Sequence, residues 1–437
     1  MDTRLSRMSG ATRSDPAGAP DANRPRRDGQ EIATEAFLFL IPAVLFLEIN
    51  LVGRLLFSEV LMIAAFPFLV LFRGQKLVER GPAMVLLLGV IWLMSQIATD
   101  IIRDTPFGDY SRGWSKIIFL MINFAVLYIL IDNRPRRMSI LALGFALGTF
   151  LMVQFNPTDY MVEKPWKFGL GFASVMAITV FIEPAYRRGH MAIPVLALFA
   201  MSMFLLFEGA RALGAITLAT VAYISVQMFL ARNRVRRVSF SPGRAAVILA
   251  GGALVAMLMQ EVYSYAAMSG ALGETAREKY FDQARGEYGI LLGGRMEIYA
   301  SSHAIMDSPI IGHGSWAKDR KYVAMLLDLR RKGYEVSDTV FFSDLIPSHS
   351  HFFGAWVEAG VLGAVFWGWN VVLCLSVLTS MFLIRHPIVP LIAFIGIAYV
   401  WDVLFSPFGM ERRLIVAFSI VFLLFARDHL LKGRVTE

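Results

Sequence analysis

The segment Pro347-Ser348-His349-Ser350-His351 carries two imidazoles two residues apart. On an extended chain such a pair could ligate a metal, but a structural zinc site takes four ligands and a catalytic one takes three. No third and fourth ligand accompany the pair at a recognisable spacing, and His303 and His313 fit no known site. No metal is therefore expected. The other chemistry open to His349 is general base catalysis, because a neutral imidazole takes a proton near pH 7. Arg295 follows Gly293-Gly294 and opens a predicted helix. Alone it reads as a solvated loop charge. Arg211 follows the short connection Glu208-Gly209-Ala210 and opens an apolar block. It is either an interfacial arginine, paired with Glu208 or snorkelling, or an anion site at the positive end of a helix. Glu48, Glu59 and Asp402 fall in or near apolar blocks. They are pathway residues or packing contacts, so transport stays open. The chain has no P-loop lysine motif, HExxH, GxSxG, strand-linked GxGxxG or Asp-x-Asp pair.

These residues must be positioned by elements made mostly of apolar side chains. Of 437 residues, 56% are hydrophobic and 17% charged, against about 25% charged in soluble domains. The apolar residues come in blocks near the ~20-residue length that crosses a bilayer. Twelve candidate spans are 36–52, 55–72, 83–100, 117–132, 138–155, 168–184, 191–207, 211–230, 245–262, 357–384, 388–405 and 413–427. The predicted fold class is an all-α integral membrane protein. The formal net charge of +8 needs no nucleic acid partner, because the cations sit in short connections. Even-numbered connections carry Arg73/Lys76/Arg80, Arg134/Arg136/Arg137, Arg187/Arg188, Arg232–Arg244 and Arg385; odd ones are poorer or balanced by acids. The positive-inside rule then puts both termini in the cytoplasm.

The expected organisation is a disordered cytoplasmic tail over 1–31, nine transmembrane helices over 32–262, a large periplasmic loop over 263–347, and a re-entrant start with three further spans over 348–437. The tail lacks the apolar content to fold alone and does not read as a signal peptide. Within the loop, 275–285, 295–307 and 316–332 show helical apolar spacing, with Tyr322, Met325, Leu326 and Leu329 on one stripe. Amphipathic helices on the membrane surface or over a cavity are expected there. One cysteine, Cys374, excludes any disulfide within the chain.

Several of these residues form a pattern. Gly293-Gly294-Arg295, Asp307-Ser308-Pro309-Ile310-Ile311-Gly312-His313-Gly314, His349-Ser350 and Glu358-Ala359-Gly360-Val361-Leu362-Gly363 resemble the O-antigen ligase and O-antigen (exopolysaccharide) polymerase superfamily. His349, Ser350, Gly360 and Gly363 fit its spacing of His, then Asn/Ser/Gln, nine residues, Gly, two residues and Gly. The twelve expected spans, with a large loop before the tenth, match its layout. The resemblance implies an inverting glycosyltransferase of the membrane-embedded type in the bacterial inner membrane. Its donor is a glycan on undecaprenyl diphosphate. The acceptor is lipid A–core for a ligase, or a second lipid-linked glycan for a polymerase. No cofactor, nucleotide or metal is implied. By resemblance, His349 is the catalytic base, Arg211 and Arg295 hold the diphosphate, and Gly360 and Gly363 belong to the motif or pack helices. The pattern leans slightly to a ligase. The rival of another class is a transporter of a small anion or amphipathic solute. His349 and Gly360 are eleven residues apart; a helix running from His349 puts both on one face and turns His351 about 200° away.

Overall fold

The computed structural model describes residues 28–50, 54–190, 192–232, 296–331 and 343–431, with isolated positions between 243 and 281. Backbone N–H and C=O groups in hydrocarbon must be bonded internally, and the apolar blocks accordingly fold as helices. They are α1 (Gly29–Ala43), α2 (Phe57–Arg73), α3 (Arg80–Ile102), α4 (Phe107–Ile131), α5 (Pro135–Phe155), α6 (Asp159–Glu163), α7 (Gly171–Phe181), α8 (Glu183–Arg187), α9 (Ala192–Phe207) and α10 (Arg211–Arg232). Then come α11 (Glu297–Asp307), α12 (Arg320–Arg331), α13 (His351–Ala359), α14 (Val361–Ser380), α15 (Val389–Phe405) and α16 (Arg413–Phe425). Among the described residues, seven helical stretches are long and apolar enough to cross a membrane: 57–78, 80–102, 107–131, 135–155, 166–187, 211–230 and 361–383. The helices α9 and α15 are shorter apolar ones. This is the all-α architecture of a multi-pass membrane protein. Leu71, Phe72 and Phe207 are 77%, 75% and 76% exposed, a costly arrangement in water that lipid removes. The expected span 245–262 lies outside the described residues.

Two expected spans are corrected. The block 36–52 is not one helix: α1 ends at Ala43, and the chain turns into a hairpin of β1 (Glu48–Asn50) and β2 (Arg54–Leu56). Pro42 closes α1, since proline lacks an N–H and weakens a helix interior. An apolar run of this length does not distinguish strand from helix. The block 357–384 is two helices, α13 and α14, broken at Gly360 with φ 67°.

Close approach sets the packing. A Cβ on Gly148 of α5 would lie 1.9 Å from Pro42 O, and one on Gly144 would lie 2.4 Å from Phe39 O. The Gly-x-x-x-Gly pair thus lets α5 touch the α1 backbone. The core runs along α4, where every residue from Asn123 to Ile131 is buried, and along α16.

Both ends of the bundle carry ion pairs. At one end α1, α2, α4 and α5 bring together Lys76–Asp132, Arg134–Glu31 and Arg136–Glu35 ion pairs. At the other, α3 ends and α4 and α14 begin beside the segment 308–318.

Candidate functional site

The opposite end is organised around the segment Ser308–Ser315, which docks on α3 and α13 through its backbone. Arg103 donates from Nε to Gly312 O at 3.0 Å and from Nη2 to Gly312 O and Ser308 Oγ, both at 2.8 Å. Asp100 accepts from Ser315 N at 2.6 Å, Ser315 Oγ at 2.7 Å and Trp114 Nε1 at 2.7 Å. From α13, Val357 O accepts from His313 N at 2.7 Å and Glu358 O accepts from Gly314 N at 3.0 Å. Val361 N returns a bond to Pro309 O at 3.0 Å. These contacts supply partners for carbonyls and amides that would otherwise be buried unpaired. The motif Asp307–Gly314 is therefore a clamp that fastens the loop to the bundle. Gln96, Thr99, Asp100 and Arg103 hold the segment from one face of α3 and its C-terminal end, three or four residues apart, and Ser95 on the same face donates to Ala359 O of α13. Sequence reading missed that face because the residues differ in type and straddle the end of an apolar block.

The clamp carries a small core of its own. Tyr322, Leu326 and Leu329 of α12 are buried with Met296 at the start of α11, with Ala300, Ala304 and Ile305 of α11, and with Ile346 and Val357. The predicted stripe on α12 is thus covered by protein, not by a membrane surface. Tyr322 Oη and Lys321 Nζ each donate to Asp307 Oδ2 at 2.6 Å. These two bonds hold the Asp307 carboxyl below the usual carboxylate range. The segment 275–285 lies almost wholly outside the described residues.

The two histidines part company here. Helix α13 begins at His351, not His349, because Ser350 is its N-cap: Ser350 Oγ accepts from Phe353 N at 3.1 Å and donates to Val403 O at 2.8 Å. The expected shared helix face of His349 and Gly360 is overturned, since one precedes the helix and the other ends it. His349 is exposed, its side chain at 49%, with Nδ1 4.0 Å from Glu297 Oε1. His351 is buried, its ring 4.9 Å from Trp367 and 5.2 Å from Phe408. Its Nδ1 lies 2.6 Å from Ser406 O. A carbonyl only accepts, so Nδ1 carries the hydrogen. The pair cannot ligate one metal from these positions. Among the described residues, no three His, Cys, Asp or Glu side chains converge as a metal cluster.

Glu297 is the neighbour sequence reading passed over. It sits in the first turn of α11, where a carboxylate is favoured by the helix dipole. The signal was an acid two residues after Arg295. Arg295 itself lies outside the described residues. Arg211 opens α10 as expected. Tyr223 Oη of α10 donates to Leu378 O at 2.6 Å, and Gln227 Nε2 donates to Met381 O at 3.1 Å. These bonds join the later parts of α10 and α14, so the helices run in parallel. Arg211 therefore lies at the same end of the bundle as Val361 and the α13 segment.

Gly360 and Gly363 act through packing. A Cβ on Gly360 would meet Ile310 O at 1.9 Å, and one on Gly363 would meet Ala355 O at 2.5 Å. Deeper in the bundle, Glu59 and Arg413 form a buried ion pair at 2.6 Å, with Arg413 5.1 Å from the Phe119 ring. Asp402 pairs with Arg412.

No family model matches the chain, and no curated protein matches it.

Proposed function

We propose that the chain is an inverting, metal-independent glycosyltransferase of the bacterial inner membrane. It moves a glycan from undecaprenyl diphosphate to an acceptor sugar on the periplasmic face, in the manner of an O-antigen ligase. The observation that carries the reading is the exposed His349 imidazole facing the Glu297 carboxylate, at the end of the bundle where Arg211 opens α10. The twelve-span topology with both termini in the cytoplasm belongs to the same reading. It is supported by the gathering of Lys76, Arg134 and Arg136 at the opposite end.

The chemistry is one displacement. The acceptor hydroxyl oxygen bonds to the anomeric carbon as the bond to the diphosphate oxygen breaks, so the anomeric centre inverts. His349 takes the hydroxyl proton, and Arg211 and Arg295 hold the departing diphosphate and its growing charge. The Glu297 carboxylate, 4.0 Å from Nδ1 of His349, stabilises by its charge the imidazolium that forms. A polymerase differs only in its acceptor, a second lipid-linked glycan. A second reading, transport of a small anion, is favoured by one observation: the buried Glu59–Arg413 pair.

The test is reconstitution. Purified protein with an undecaprenyl-diphosphate glycan should transfer it to lipid A–core in the presence of chelator and without nucleotide. Transfer to a second lipid-linked glycan alone would assign the polymerase. Uptake of a solute into vesicles without any transfer would overturn the enzyme reading.

A further inference from the structure

The charged end of the bundle opposite the candidate site holds a cavity of about 350 Å³. Its lining includes Glu31 from α1, Arg73 and Lys76 from the end of α2, Asp132, and Arg134 and Arg137 from the start of α5. Two of the four cations are matched, Lys76 by Asp132 and Arg134 by Glu31. Arg137 is 4% exposed, and its Nη1 donates to Leu130 O at 2.8 Å. Its Nε–H is buried without an acceptor. Asp132, Glu31 and Glu35 attract it from nearby, yet holding an arginine this deep is costly, and an anion in the cavity would offset part of that cost. Arg73 lines the same cavity. Asp28 is the remaining acid there, so the lining keeps one positive charge beyond its own acids. The α5 N-terminus adds the positive end of a helix dipole.

Ile32, Leu71, Phe72 and Val78 neighbour the lining residues in sequence and are 54%, 77%, 75% and 78% exposed. A polar cavity with net positive charge beside bare apolar side chains suits a ligand with an anionic head and hydrocarbon tails. We propose that this cavity binds the phosphodiester headgroup of an anionic membrane lipid, held by Arg73 and Arg137, with its acyl chains along α1 and α2. The site is independent of the transferase reading and lies at the other end of the molecule.

The test uses the full-length protein in non-ionic detergent and native mass spectrometry. Phosphatidylglycerol, phosphatidylcholine with the same acyl chains, and inorganic phosphate are titrated separately. Phosphatidylglycerol should bind most tightly, and Arg73→Gln should weaken it about tenfold, the loss of one charge-assisted contact. Arg137→Gln should weaken it as much; because Arg137 also holds Leu130 O, the partly exposed Arg73 is the deciding variant. Arg80→Gln removes the same charge from an exposed position at this end that is not among the cavity-lining residues, and should leave binding unchanged. Equal weakening by Arg80→Gln, or unchanged binding by Arg73→Gln, would overturn the site. Inorganic phosphate that binds with the same dependence on Arg73 would overturn the lipid and assign a free phosphate.

Discussion

Gly312 and Gly360 meet backbone to backbone: a Cβ on Gly312 would stand 2.6 Å from the amide nitrogen of Gly360. Both have positive φ, 88° and 67°. The contact joins the clamp to the corner between α13 and α14, so it fixes where α13, and His349 before it, enter the site.

Replacing Gly360 with Ala puts a side chain at φ 67° and ψ −165°, which costs about 1–3 kcal/mol, and sets its Cβ 1.9 Å from Ile310 O. The backbone must shift, so we expect a loss of at least ~3 kcal/mol. The readout is a lower unfolding temperature of the purified protein and less of it in the membrane. Gly409 has open space around its would-be Cβ, and Gly409→Ala should unfold like the wild type. Equal stability of the Gly360 and Gly409 variants would show that the corner tolerates a side chain.

Much of this arrangement was legible in the chain, and the rest was hidden for physical reasons. Long apolar blocks marked α3, α4, α5 and α10, because hydrocarbon thickness sets helix length. The hairpin at 48–56 was hidden because Glu48, Asn50 and Arg54 sit between apolar residues that continue the run of α1 and lead into that of α2. The break at Gly360 was hidden because glycine is common inside membrane helices. The histidine pair was visible as chemistry, but burial separates the two, and burial depends on Trp367 and Phe408, distant in sequence. The polar face of α3 that grips the clamp had no motif to announce it.

Sidedness can be read by single-cysteine labelling, because the natural Cys374 is fully buried. Ala324 on α12 and Arg80 at the start of α3 are both exposed. With a membrane-impermeant maleimide on intact spheroplasts, Ala324→Cys should label and Arg80→Cys should label only after lysis. The reverse pattern would invert the topology and remove the periplasmic site.

The arginines are tested by a change that keeps charge and loses geometry. Lysine cannot make the planar, two-toothed contact that guanidinium makes with a diphosphate. Arg211→Lys and Arg295→Lys should each lower transfer about 10- to 100-fold with protein levels intact. Near-normal polymer from both would return Arg211 to the snorkelling reading and Arg295 to a solvated loop charge.

The histidines and Glu297 separate chemistry from packing. His349→Ala removes an exposed side chain, so the protein should accumulate and unfold normally while transfer falls about 10²- to 10⁴-fold. His351→Ala empties a space between Trp367, Phe408 and Ser406 and should cost about 3 kcal/mol of stability; activity per folded molecule should largely survive. Glu297→Gln keeps the shape and loses the charge that favours imidazolium. Transfer per molecule should then drop while the protein accumulates and unfolds normally. A merely structural Glu297 would lower protein amount and leave transfer per molecule in place. If His351→Ala is inactive per molecule and His349→Ala is active, the base is His351 and the assignment made from exposure is wrong.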